Sequence, residues 1–220
     1  CGSSQDVDAV WNTASPAASD IGMTPLLAVA VAVAVTAPEP PNPVPVLPVR
    51  PAVERAVGGA AFDRGVFVER TRDGGSVVVG VTASSGHGGE DVYLVRFDEA
   101  GDVLWSKTFG GADEDNGWCV REVDDGFVFA GFTKSFGSGG YDFYLVKTDE
   151  RGERIWSRTF GGADDDRCWM FDVTDDGGFI LVGETRSAGA GERDFVAVRT
   201  DASGKEVWSN TYGGAKDDRC

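Results

Sequence analysis

From about Val53 onward, apolar and polar residues alternate in short runs, and no stretch shows helical spacing. The second repeat of this pattern reads "WCVREV" (Trp118–Val123), "FVFAGFTK" (Phe127–Lys134), "DFYLVKT" (Asp142–Thr148) and "ERIWSRTF" (Glu153–Phe160). These runs are rich in Val, Phe, Tyr, Trp and Thr, which suit a pleated surface, so each predicts a β-strand. The second run is apolar almost throughout, which predicts a strand covered on both faces. The fourth alternates, with Trp156, Arg158 and Phe160 on one side and Ile155, Ser157 and Thr159 on the other, as at the outer edge of a sheet. The Asp-x-x-Gly turns at Asp98–Gly101, Asp149–Gly152 and Asp201–Gly204 predict tight hairpins. In each, the glycine takes positive φ and the aspartate accepts hydrogen bonds from amides two residues on.

Four markers repeat in one register. Trp105, Trp156 and Trp208 are spaced by 51 and 52 residues. The pairs Gly58-Gly59, Gly110-Gly111, Gly161-Gly162 and Gly213-Gly214 keep that step, as do Gly80, Gly131 and Gly183, and Asp91, Asp142 and Asp194. A period near 50 built from strands predicts propeller blades rather than a helical solenoid. The expected fold is all-β: a partial β-propeller of about three four-stranded antiparallel blades, at about 59–110, 111–161 and 162–213, with the start of a further repeat behind them. "VERAVGG" (Val53–Gly59) reads as a worn fourth strand of a preceding unit. Propellers usually close with about four to eight blades. The expectation is therefore a truncated or partial propeller, or closure by association of copies.

The phrases "GDVLWSKTFGG", "GERIWSRTFGG" and "GKEVWSNTYGG", preceded by "DVYLVRFD", "DFYLVKTD" and "DFVAVRTD", resemble the blade repeats of secreted and cell-surface propeller proteins of bacteria and archaea. The G-x-x-x-W ending is more distantly similar to quinoprotein-type propellers. The resemblance covers about Val53 to Cys220. It implies a cell-surface or secreted scaffold without catalysis. Two alternatives stand beside it: a calcium-dependent adhesion or glycan-binding propeller, and a quinoprotein-like oxidoreductase.

Residues 1–51 differ from the rest and are expected to be mostly disordered. Leu26–Val35 is wholly apolar, but a helix needs about 20 residues to span a bilayer. It reads either as the apolar core of a signal peptide starting at Met23 or as a short element ahead of a linker. Pro38–Pro51 is proline-dense and predicts an extended spacer. "CGSS" at Cys1 matches the start of a mature lipoprotein, which makes Cys1 a candidate lipid anchor and the membrane a partner only through it. The other account of Cys1 is a shortened reading frame.

A formal net charge of −16 argues against nucleic acid and anionic lipid as partners. The acids are dispersed and the bases lean to arginine, which points to a high-salt habitat or to an ordinary acidic secreted protein. Cys1, Cys119, Cys168 and Cys220 form no CxxC pair and His87 is the single histidine, so a Cys/His zinc site of the usual spacing is excluded. The cysteines are expected to be small buried or semi-buried thiols rather than a disulfide framework. The acidic loops carry Asp113, Glu114 and Asp115; Asp164, Asp165 and Asp166; and Asp217 and Asp218. They predict a ring of carboxylates that either binds Ca2+ or forms solvated turns that cap backbone amides. Two like charges 4 Å apart in water cost only about 1 kcal/mol, so repulsion alone does not demand a cation there. Asp91, Asp142 and Asp194 are expected to be structural, bonding loop amides. Trp105, Trp156 and Trp208, with Trp118 and Trp169, are expected in the blade core. Partners are expected to be a protein or glycan at the cell surface, met by the loops.

Overall fold

The structure is a computed structural model that describes residues 54–218. The expectations for Cys1, the apolar run, the proline-dense spacer and Cys220 fall outside the described residues. The described part is all-β and contains three four-stranded antiparallel sheets, each a meander in chain order. The first sheet holds β1 (Asp63–Arg70), β2 (Ser76–Thr82), β3 (Asp91–Phe97) and β4 (Val103–Phe109). The second holds β5 (Asp115–Val123), β6 (Gly126–Thr133), β7 (Asp142–Thr148) and β8 (Arg154–Phe160). The third holds β9 (Asp166–Val173), β10 (Phe179–Thr185), β11 (Asp194–Thr200) and β12 (Glu206–Tyr212). Among the described residues no helix is long and apolar enough to cross a membrane.

Period-2 alternation decides how the sheets pack. On β6 every residue is buried, because the strand is flanked by β5 and β7 and covered on both faces. Phe127 and Phe129 face the first sheet and meet Val77, Val79 and Leu94. Val128 and Ala130 face the third and meet Phe171, Phe179 and Leu181. The second sheet thus contributes to two cores at once, as its neighbouring strand β7 also does through Tyr144 and Val146 on one side and Phe143 and Leu145 on the other.

The first strand of every sheet carries a β-bulge at the same place. The register slips between Gly65 and Phe67, between Gly117 and Cys119, and between Cys168 and Met170. The extra residue is Val66, Trp118 or Trp169. A bulge re-aims the side chain it carries. Trp118 and Trp169 meet edge to face at 4.8 Å, with Phe132 beside them. The bulge also explains the glycine that recurs in phase within each second strand. A Cβ at Gly80, Gly131 or Gly183 would lie 1.9–2.0 Å from the carbonyl oxygen of Arg64, Asn116 or Arg167.

The tryptophans of the outer strands sit between sheets rather than within one. Trp105 on β4 donates its ring N–H to the Glu150 carbonyl at 3.1 Å, packs edge-on against Phe127, and covers Gly152 of the next sheet's turn. Trp156 on β8 repeats the arrangement against Phe179 and Gly204. Gly152 and Gly204 have φ of +77° and +75°, which suits glycine, and a side chain there would strike the indole. Trp208, the third in phase, is 40 % exposed, because no following sheet among the described residues covers it. Trp156→Ala is therefore expected to cost about 3 kcal/mol and Trp208→Ala under about 1 kcal/mol, since truncation costs what burial had gained. Urea denaturation of the two variants measures the difference.

Candidate functional site

The acidic loops and the glycine pairs converge on one corner, repeated at each junction. Take the passage from the first sheet to the second. After β4 the chain runs through Gly110, Gly111, Ala112, Asp113 and Glu114 and enters β5 at Asp115. Asp115 is fully buried. Its Oδ2 accepts the Gly111 amide at 2.8 Å and the Ser135 hydroxyl at 2.7 Å, and its Oδ1 accepts the Thr133 hydroxyl. Asp63 repeats this with Gly59, Ser84 and Thr82. Asp166 does so through Oδ2 alone, with Gly162 at 2.7 Å and Ser187 at 2.6 Å while its Oδ1 has no hydrogen-bond partner, and Asp218 accepts Gly214 at 2.6 Å. The last acid of each loop therefore turns inward, and Asp115 and Asp166 tie their own sheets to the connection before them and hold the following loop.

The second aspartate of the corner comes from the third strand. Asp91, Asp142 and Asp194 are each buried at the start of that strand. Their Oδ2 atoms accept the amides of His87 at 2.6 Å, Ser138 at 2.7 Å and Ala190 at 2.8 Å. This is the loop-amide bond read from the sequence. It uses the backbone of His87 and not its ring, which is why serine and alanine serve equally in the other repeats. The exposed His87 side chain takes no part in the pattern.

The two aspartates face each other across the first glycine of the pair. A Cβ at Gly110 would lie 1.8 Å from Asp91 Oδ1 and 2.6 Å from Asp115 Oδ2. At Gly161 the corresponding distances are 2.1 Å to Asp142 Oδ1 and 2.7 Å to Asp166 Oδ2, and at Gly213 they are 1.8 Å to Asp194 Oδ1 and 3.0 Å to Asp218 Oδ2. The second glycine is bare for another reason: a Cβ at Gly59, Gly111 or Gly162 would strike Ser84, Ser135 or Ser187. The sequence phrase "GG" is thus the mould of two carboxylates and a serine.

Burial raises the Asp142 carboxyl to about 6, the Ser138 amide pulls it back, and the charge of Asp166 pushes it up further. Asp91 is raised from the same main cause, with the His87 amide opposing and Asp115 adding. The folded protein consequently binds a proton at Asp142 that the unfolded chain releases from about pH 4 upward. This contribution to stability is complete below pH 4 and is lost as pH rises through about 6, on the order of 2–3 kcal/mol. In chelator-treated protein, the stability of wild type relative to Asp142→Asn is expected to fall between pH 4 and pH 6 and to be flat above. Urea midpoints at half-unit pH steps measure it.

The remaining acids of the loops point outward. Asp113, Glu114, Asp164 and Asp217 are exposed, and Asp165 is half-buried. Glu114 accepts the Tyr141 hydroxyl, and Asp165 pairs with Arg167 at 2.9 Å and accepts the Tyr141 amide at 3.2 Å. Among the described residues no group of three or more His, Cys, Asp or Glu side chains converges as a metal site, so the eight loop acids do not form one cluster. Cys119 and Cys168 are buried between the second and third sheets.

One recurring interaction has a sequence signal that the strand patterns did not use. The penultimate residue of each third strand is basic and reaches back to the turn between the first two strands. Arg96 grips Asp73 through both carboxylate oxygens at 2.6 Å, Lys147 meets Asp125 at 2.8 Å, and Arg199 holds Asp176 at 2.5 and 2.7 Å. The phrase "V-[RK]-[FT]-D" marks it in all three repeats.

No family model matches the chain. The chain is similar to a stretch of the regulatory protein FlaEY of Caulobacter vibrioides, at 24% identity over 196 residues, covering 76% of this chain and 20% of that protein. The chain thus spans about a fifth of that relative's length.

Proposed function

We propose that the three sheets are successive blades of a partial β-propeller and that the chain works without catalysis, as a rigid display module of a secreted or cell-surface protein. The observation that carries this reading is the contrast between frame and loop. The loops 83–90, 134–141 and 186–193 are pinned at the same corner by the same aspartate–amide bonds. Their tips nevertheless differ: "SSGHGGE", "SFGSGGY" and "SAGAGER". A constant frame with varied tips suits recognition of a protein or glycan partner, because loops on a rigid scaffold carry binding at little ordering cost.

Two measurements test the reading. In cells producing the native protein, a membrane-impermeant labelling reagent is expected to modify it without lysis, and labelling only after lysis would overturn the surface location. The purified protein is expected to absorb only as its tryptophans and tyrosines do. A cofactor band above 300 nm, roughly the limit of aromatic side-chain absorption, would replace the scaffold with an oxidoreductase.

A further inference from the structure

We propose that each corner at a glycine pair binds one hard, oxygen-seeking divalent cation of the calcium class, held between a third-strand aspartate and the inward-turned aspartate after the glycine pair: Asp91 with Asp115 and Asp142 with Asp166 between sheets, and Asp194 with Asp218 after β12. The site is distinct from the outward-facing loop acids and does not depend on the display reading.

Three observations carry it. First, Asp91 Oδ1 and Asp194 Oδ1 have no hydrogen-bond partner although both residues are 1 % exposed. Buried carboxylate oxygens are almost always partnered, and an orphan one marks a missing ligand or proton. Second, each orphan oxygen faces a second carboxylate across a bare glycine Cα, as the distances at Gly110 and Gly213 show. At an effective dielectric of about 20, two such charges 4 Å apart repel by about 4 kcal/mol, against about 1 kcal/mol in water, so here the pair needs a counter-charge where the exposed loop acids do not. Third, no ion pair among the described residues reaches either aspartate of a corner: Arg167 pairs with Asp165 and Glu184, and Arg193 with Glu184.

The ligand chemistry is all oxygen, which selects calcium over zinc or copper. Two carboxylates per corner are few for calcium, so loop carbonyls and water complete the shell, and the affinity belongs in the submillimolar to millimolar range of extracellular modules. Bridging two sheets, the ion would act on stability of the whole stack and not on one loop.

The test uses the full chain after dialysis against a chelator. Melting temperature is followed as CaCl2 is added to 10 mM, a concentration roughly tenfold or more above such a Kd, with NaCl of equal ionic strength as the control. Calcium is expected to raise it by several degrees and NaCl to leave it unchanged. The triple variant Asp91→Asn, Asp142→Asn, Asp194→Asn keeps the loop-amide acceptors and should lose the calcium response. If the triple variant does not fold, Asp142→Asn alone decides, with the response expected to fall by about a third when one corner of three is lost. A wild type indifferent to calcium, or a variant that responds as fully as wild type, overturns the proposal. The pairs would then hold protons instead, and stability that falls from pH 4 to 6 irrespective of calcium would show it.

Discussion

Asp115→Ala is expected to lower the stability of the protein by about 4 kcal/mol, because it strips three hydrogen bonds to an ionised acceptor from a fully buried corner, each worth about 1.5–3 kcal/mol. The Gly111 amide and the Ser135 and Thr133 hydroxyls then stand without an acceptor, and desolvation of unpaired donors is the larger part of the loss. Relief of repulsion from Asp91 offsets some of it, which keeps the figure below a simple sum. For a unit of this size the melting temperature should fall by roughly 10 °C. The matched control is Asp113→Ala two residues earlier, where the side chain is exposed and the change should stay within about 0.5 kcal/mol. Thermal unfolding by circular dichroism separates the two. Equal effects at both positions would mean that the acidic loop acts as a unit and that the inward turn of Asp115 is energetically idle.

Gly131→Ala is expected to be comparably damaging, by about 3 kcal/mol, for a different reason. Its Cβ would stand 1.9 Å from the Asn116 carbonyl oxygen, which is backbone and has no rotamer to escape into. The pairing of β5 and β6 beside the bulge at Trp118 would have to open, at the centre of the sheet that feeds both cores. Gly177→Ala is the comparison. Its φ is +77°, but the nearest atom beside the new methyl is Ala202 Cβ at 3.7 Å, so it should cost only the left-handed backbone penalty of about 1 kcal/mol. Chemical denaturation measures both, and a Gly131→Ala protein as stable as Gly177→Ala would show that the bulge yields.

The strands were legible because their pattern is local. Period-2 alternation, β-branched and aromatic content, and Asp-x-x-Gly turns predicted strands close to those found in the second sheet: Asp142–Thr148 and the ends at Val123 and Phe160 coincide, and the remaining edges moved by one to three residues. The turn glycines Gly101, Gly152 and Gly204 do take positive φ, from +75° to +84°. The repeat interval likewise announced three equivalent sheets, since equal sequences in equal phase must fold alike.

What the sequence by itself determined, then, is the unit: four strands, their order and their turns, all fixed by contacts a few residues apart. Only the tertiary structure decided what lies between units. It placed Trp105 and Trp156 against the following sheet while leaving Trp208 40 % exposed, although the three are in identical phase. In each run of three acids it turned the last towards a carboxylate from the previous sheet's third strand, left Asp113, Glu114 and Asp164 exposed, and half-buried Asp165 against Arg167. The physical reason is that burial, and with it the cost of a charge, depends on which surfaces meet. Asp113 and Asp115 have the same side chain and nearly the same neighbours in the chain, but one is solvated and the other is enclosed by Gly111, Ser135 and Asp91.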